Sequence, residues 1–138
     1  MATTVLDGLD EVRAAVGRHL GHSEWLEITQ ERVDLFADAT GGDQRGSVAP
    51  GYLTVSLSNL FLPQIVEVRG VSMGVNYGTG TIRFPVPVPV GSRLRGGAEL
   101  VEVEEIAGGV QTLMRITIEV EGRDEPACVI DSISRWIA

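Results

Sequence analysis

The sequence predicts an α+β fold in which helices come first and a run of antiparallel strands follows. Three observations carry this. Apolar residues before Pro63 recur at three- and four-residue spacing, those from Leu94 onward alternate with polar ones, and glycine or proline marks most of the joins. At 138 residues, 43% of them hydrophobic, the chain has material for one core and is too short for a second domain. Residues 1–138 are therefore expected to form a single domain, with 1–22 as a helical extension.

Leu6, Leu9, Val12, Val16 and Leu20 share one face of a helix that Gly21 terminates, and this helix is expected to lie against the domain as a cover. Trp25, Leu26 and Ile28 read as a short strand. Thr29 is placed to cap a second helix bearing Val33, Phe36 and Ala37, with Glu31 in the first turn where the helix dipole favours an acid. Thr40-Gly41-Gly42 ends it. A third helix is expected to start near Gly51 and run through Tyr52, Leu53, Val55, Leu57, Leu60 and Phe61 to Pro63. Its apolar residues cover most of its circumference, the pattern of a helix wrapped by a sheet.

The alternating prolines of PVPVPV at 85–90 remove every second backbone donor, so this stretch is an extended edge or a crossover rather than a central strand. A strand over 94–106 turns at Ala107-Gly108-Gly109 into another in which Met114, Ile116, Ile118 and Val120 alternate with Arg115, Thr117, Glu119 and Glu121. Residues 127–137 form the last strand. It is more apolar on both sides, as expected for a central strand or one at a subunit contact.

The formal charge of −8 disfavours nucleic acid as a partner, because phosphate binding requires clustered Lys and Arg. Nineteen acids also repel coenzyme A phosphates unless Arg45, Arg69, Arg83, Arg93 or Arg95 gather locally. The single cysteine, Cys128, excludes an internal disulfide and a Cys-based zinc site, and its apolar setting marks it as a buried thiol. Glu102, Glu104, Glu105, Glu119 and Glu121 read as a solvated face, not a metal site. The acidic N-terminus is unlike a signal peptide, and no apolar run approaches the ~20 residues that span a bilayer. A cytoplasmic protein is expected, with no membrane partner. Gly78 and Gly80 lack the strand–loop–helix setting and Lys-Ser/Thr ending of a phosphate cradle. No Ser-His-Asp or Cys-His set is available, and neither a cofactor nor a metal is expected.

The stretch 76–91, NYGTGTIRFPVPVPVG, resembles the NYG…(V/I)RFP.PVPVG segment of MaoC-like, (R)-specific enoyl-CoA hydratases. Ile28, Thr29, Glu31, Phe36, Ala37, Ala39, Thr40 and Gly41 match that family's ITxE…FAxATGD segment. Gly51, Tyr52, Leu53 and Thr54 match its AHG(Y/F)LT helix start. The resemblance covers about residues 23–137 and implies a hotdog fold, an antiparallel sheet wrapped around a long central helix.

In that family an Asp and a His about one helical turn apart add water across an enoyl thioester or run the dehydration in reverse. Here the loop between Gly41 and Gly51 is much shorter. Gly42 fills the Asp position unless the loop shifts by one and Asp43 takes the role. No His follows, since His19 and His22 both lie earlier, where the first helix is expected to end.

By resemblance, the catalytic candidates are Asp43, Gly51 and Tyr77, and the substrate-binding candidates are Gln44, Tyr52 and Asn76. Gly51 supplies a backbone N–H to the thioester oxygen. Asp43 is either the remaining carboxylate of the site or a turn residue that bonds its own backbone. Gln44 either orients a carbonyl or water or is a solvated loop residue. Asn76 and Tyr77 either line the acyl pocket or serve packing, and Tyr77 replaces the missing general acid only with a pKa well below ~10. Arg83 is expected to anchor a carboxylate or a partner chain. The implied function is lyase-type chemistry on an acyl or enoyl thioester or a polyketide-type substrate: hydration, dehydration, or a repurposed isomerisation or cyclisation. The alternative is a non-catalytic, acyl-binding subunit of a heteromeric hydratase. A homodimer is expected, with a heterodimer as the alternative.

Overall fold

The computed structural model describes residues 2–42 and 46–138. Its elements are β1 (Thr4–Asp7), α1 (Leu9–Ala14), β2 (His19–His22), β3 (Leu26–Glu27), α2 (Gln30–Thr40), α3 (Gly51–Ser56), α4 (Ser58–Ile65), β4 (Val66–Arg69), β5 (Met73–Arg83), β6 (Arg93–Ile106), β7 (Gly109–Val120) and β8 (Cys128–Ile137). The main sheet is antiparallel in the order β2-β6-β7-β8-β5, with β3 also on β6, while β1 and β4 form a separate parallel pair. The expected α+β architecture holds. β8 lies inside the sheet between β7 and β5, and β5 is an edge strand.

Several local expectations are met. The Thr29 hydroxyl accepts from the Arg32 N–H at 3.2 Å and caps α2, and Gly41 ends that helix with φ 70. Gly108, with φ 78, makes the tight turn between β6 and β7. Met114, Ile116, Ile118 and Val120 are buried. The 84–90 stretch is an irregular crossover. Its backbone groups are met from residues 47–49: Ala49 N–H donates to the Val88 carbonyl at 2.8 Å, and Val90 N–H to the Ser47 carbonyl at 2.9 Å.

The N-terminal helix is shorter than its periodicity suggests. Only residues 9–14 are helical; Leu6 lies on β1 and Leu20 on β2, both buried, while Val16 is exposed. Gly8 and Gly17 bracket α1 with φ 90 and 86, a backbone conformation that interrupts a helix. The sheet then claims the flanking backbone, with Gly8 N–H donating to the Arg69 carbonyl at 2.8 Å and Gly17 N–H to the Leu100 carbonyl at 2.7 Å. The covering role survives: Leu6, Val12, Ala15 and Leu20 form a second core with Ile65, Ala98 and Val110.

The third helix also departs from expectation. Pro63 lies inside α4 instead of ending it, and Leu57, in right-handed helical conformation, joins α3 to α4. Leu53, Leu57, Phe61 and Ile65, spaced by four, make the buried stripe, whereas Tyr52 and Leu60 are exposed. The sheet therefore covers one stripe of this helix rather than most of its circumference. Leu53, Leu57 and Phe61 pack with Leu94, Ile116, Ile118, Cys128 and Ile130, while Ile65 joins the second core.

Two adjacent glycines on β6 separate the faces of the sheet. A Cβ on Gly96 would meet the Phe61 Cβ at 2.8 Å, so helix and strand touch there with no room for a side chain. A Cβ on Gly97 would point the other way, to His22 Cδ2 at 2.9 Å and His19 Nε2 at 3.2 Å. Both histidines thus lie on β2, on the face opposite the central helix, with ring centroids 4.8 Å apart. This corrects their expected place at a helix end. Arg95 of the same face donates to Glu119 at 2.8 Å and stacks 4.7 Å from the Trp25 ring.

This geometry makes Gly96→Ala overpack the core and destabilise the fold by about 1–3 kcal/mol. Gly97→Ala, which displaces only half-exposed rings, stays within about 1 kcal/mol. Urea denaturation of the two variants checks the contrast, and equal losses would refute the assignment of faces.

Burial holds the His22 imidazole below its ordinary pKa, Arg95 and His19 repel its charge further, and Glu119 partly opposes them. The folded state thus binds fewer protons than the unfolded chain, so this contribution to stability is present above about pH 6.5 and is lost as pH falls below it. His22→Gln is expected to flatten the fall in melting temperature between about pH 7.5 and 5.5. A fall of undiminished size in the variant would show that other groups cause it.

Candidate functional site

A cavity of about 860 Å³ opens beside the start of α3. One wall is α2, through Phe36, Ala37 and Thr40; another is 48–50, leading into the helix; a third is the crossover, through Phe84, Val86 and Val88. The lining is predominantly apolar, as acyl-sized ligand sites are. Its shape depends on Gly51: a Cβ there would meet Phe84 Cε1 at 2.9 Å, so the ring reaches the helix start only because residue 51 has no side chain.

Pro50, extended at φ −60 and ψ 142, leads into α3. Its carbonyl accepts from the N–H groups of Leu53 and Thr54. The N–H groups of Gly51 and Tyr52 come too early in the helix for an intrahelical acceptor and have none among the described residues. Two backbone donors therefore stand at the end of an apolar cavity, an arrangement able to stabilise negative charge on a carbonyl oxygen.

Of the six residues singled out in the sequence, the structure brings together Gly51 and Tyr52, and both line the cavity. Tyr52 lies at the mouth, with its side chain largely exposed. Asp43 and Gln44 lie outside the described residues. Asn76 and Tyr77 lie on the exposed strand β5, and neither lines the cavity. The Tyr77 ring instead packs beneath the Arg135 guanidinium at 3.6 Å. Thr54, which the motif contains but which carried no expectation, is buried and lines the cavity. Its position one helical turn beyond Gly51 was the available signal.

No histidine reaches this cavity, because the chain has two and both lie on the outer face of the sheet. Cys128 faces the core, and burial raises its thiol to about 11, far from a reactive thiolate. Among the described residues no group of three or more His, Cys, Asp or Glu is placed to hold a metal ion.

Arg45 lies outside the described residues, and among the described residues the arginines do not gather at the cavity mouth. Arg69 pairs with Glu67 at 3.1 Å, Arg93 with Glu121 at 3.0 Å and Arg95 with Glu119 at 2.8 Å. Arg83 instead joins Thr81, Arg115 and Asp131 around a separate cavity of about 230 Å³. No helix among the described residues is long and apolar enough to cross a membrane.

No family model matches the chain. It is 42% identical to 3-hydroxyacyl-thioester dehydratase Z of Mycobacterium tuberculosis (strain ATCC 25618 / H37Rv) over 147 positions, covering 96% of this chain and 97% of that protein. The matched length exceeds the 138 residues here, so the relative has positions without a counterpart in this chain. Nodulation protein N of Rhizobium leguminosarum bv. viciae is 35% identical, covering 94% of this chain and 88% of that protein.

Among solved structures, the MaoC-like dehydratase of Rhodospirillum rubrum superposes with a TM-score of 0.68 at 14% identity, covering 89% of this chain and 92% of that one. The C-terminally truncated HadBC complex, a 3R-hydroxyacyl-ACP dehydratase from M. tuberculosis, gives 0.69 at 17%, covering 88% and 96%. These structural likenesses place the fold among the hotdog proteins. With a relative so similar over nearly the full length of both proteins, the chain belongs to the MaoC-like hydratase and dehydratase family.

Proposed function

We propose that the chain binds an acyl thioester with its acyl group in the 860 Å³ cavity and its carbonyl oxygen at the start of α3, and acts there as a lyase of the hydratase or dehydratase type. The observation that carries this is the pair of N–H groups of Gly51 and Tyr52, without an acceptor among the described residues, at the end of an apolar cavity. The printed name of the M. tuberculosis relative, a 3-hydroxyacyl-thioester dehydratase, supports the same substrate class. Hydration places the water oxygen on C3 while one proton leaves that oxygen and another reaches C2. Polarisation of the carbonyl by Gly51 makes C3 electrophilic and C2 able to take the proton.

Asp43 is the carboxylate proposed to move protons, with Gln44 orienting water or the carbonyl and Tyr52 closing the mouth. Asn76 and Tyr77 belong to the free edge strand β5, where a second copy can pair. We assign them to a dimer contact before the acyl pocket. Residues 1–138 are read as one such domain, acting in the cytoplasm. Repurposed chemistry that needs only enolate stabilisation, an isomerisation or cyclisation, uses the same donors.

One observation favours a second reading: both histidines lie on the far side of the sheet, so the chain's own cavity has no imidazole base. In that reading the chain is the non-catalytic, acyl-binding subunit of a heteromer. Complexes of two chains occur among proteins of similar fold, HadBC being one.

Crotonyl-CoA hydration, followed at the enoyl thioester absorbance, tests the proposal on the full chain, Asp43→Asn, Gly51→Ala and Gly51→Pro. Proline is accepted at the first helical position and removes the N–H, whereas alanine brings the same contact with Phe84 but keeps the donor. Gly51→Pro is expected to lose a further ~10²–10³ in kcat relative to Gly51→Ala. Asp43→Asn is expected to lose ~10²–10⁴. Turnover that is indifferent to both changes would remove these residues from the mechanism. No turnover by the wild-type chain, alone and at high concentration, would favour the heteromeric reading.

A further inference from the structure

We infer that Thr54 is a specificity-determining residue whose hydroxyl reads an oxygen substituent at C3 of the bound acyl chain. This rests on the acyl-thioester reading of the same cavity and adds to it a means of telling oxygenated from unoxygenated acyl groups.

Three side-chain hydroxyls line the cavity, and two are accounted for. Thr40 Oγ1 donates to the Phe36 carbonyl at 2.8 Å, and Tyr52, 74% exposed, lies at the mouth in contact with solvent. Thr54 is only 2% exposed, and its hydroxyl makes no hydrogen bond among the described residues. Buried hydroxyls normally find a partner. This one is also absent from the sealed, unsatisfied side-chain atoms, of which Arg95 Nε is the example among the described residues. It therefore opens into the cavity, the one uncommitted hydroxyl in the buried part of a lining that is otherwise largely apolar.

Its position fits the chemistry of a 3-oxygenated thioester. Thr54 follows Gly51 by three residues, so it sits about 4.5 Å farther along the helix and close to the same side. With the thioester oxygen at the Gly51 and Tyr52 N–H groups, C3 lies two bonds deeper in the chain, and an oxygen on C3 comes within reach of the Thr54 hydroxyl. Both groups donate and accept, so a 3-hydroxyl satisfies Thr54 whichever way its proton points. A saturated or enoyl chain has no oxygen there and leaves Thr54 without a partner. A threonine hydroxyl does not titrate in the working range of the protein, so Thr54 orients the substituent and does not carry its proton.

The experiment measures dissociation constants by isothermal titration for racemic 3-hydroxybutyryl-CoA and for butyryl-CoA, using the full chain, Thr54→Val, Thr54→Ala and Thr54→Ser. The wild type is expected to bind the 3-hydroxy ligand about 10-fold more tightly than butyryl-CoA, the effect of one neutral hydrogen bond made in a buried site. Thr54→Val and Thr54→Ala bring that ratio to about one without weakening butyryl-CoA, and Thr54→Ser retains it. Butyryl-CoA also reports the integrity of each variant. Should valine disturb the helix, the contrast of alanine with serine decides. A wild-type ratio of one, or a preference that persists in both Thr54→Val and Thr54→Ala, overturns the role of Thr54 and leaves the acyl-thioester site standing. A wild type that binds neither ligand overturns the acyl-thioester reading itself, and this inference with it.

Discussion

The contact of Phe61 with Gly96 is the constraint on which the rest of the molecule depends. A helix can lie this close to a strand only where the strand has no side chain, and β6 meets the requirement with a glycine facing inward. Phe61 is fully buried there, at the centre of the stripe that begins with Leu53 and ends with Ile65. The same contact sets the depth and rotation of the whole helical segment, so it also sets where the segment starts. Gly51 and Thr54 reach the cavity because Phe61, two to three turns away, is seated on β6.

The sheet divides the polar chemistry of the chain between two faces. On the inner side the described side chains are largely apolar, and the donors at the cavity, backbone N–H groups and the hydroxyls of Tyr52 and Thr54, bring no net charge and need no counter-ion. The outer side carries the ion pairs, Arg93 with Glu121, Arg95 with Glu119 and Arg115 with Asp131, across neighbouring strands. Pairs this exposed contribute little to stability individually. Their consequence is to neutralise Arg93, Arg95 and Arg115, and no arginine among the described residues lines the cavity. Both histidines belong to this outer system, which removes them from acid–base work in their own chain's cavity.

The crossover at 84–90 shows how a sequence that refuses regular structure serves a site. Its prolines withhold donors, and the neighbouring 47–49 segment supplies donors and acceptors in their place through Ala49 and Ser47. The two irregular strands hold each other, and between them they place Phe84, Val86 and Val88 against the start of α3. The tightest approach, Phe84 on Gly51, is of the same kind as Phe61 on Gly96: an aromatic ring in the space left by a missing Cβ.

The sequence by itself determined whatever rests on local signals. The cap and end of α2 follow from Thr29 and Gly41, the inward set of β7 from strict alternation, the β6–β7 turn from Gly108, and the helix start at Gly51 from a motif match. Tertiary structure decided whatever depends on pairing between distant residues. Leu6, Leu9, Val12 and Leu20 fit a helical period, but β4 captures the first and β6 the last, and a periodicity confined to one segment contains no information about those partners. For Asn76 and Tyr77 the sequence left lining the acyl pocket and packing both open, and the register of β5 on β8, which sets Tyr77 beneath Arg135, belongs to the folded chain. Thr54 was legible as a motif residue and illegible as a site residue. Its significance lies in being buried with no side-chain partner among the described residues, and burial and partnership are properties of the folded chain alone.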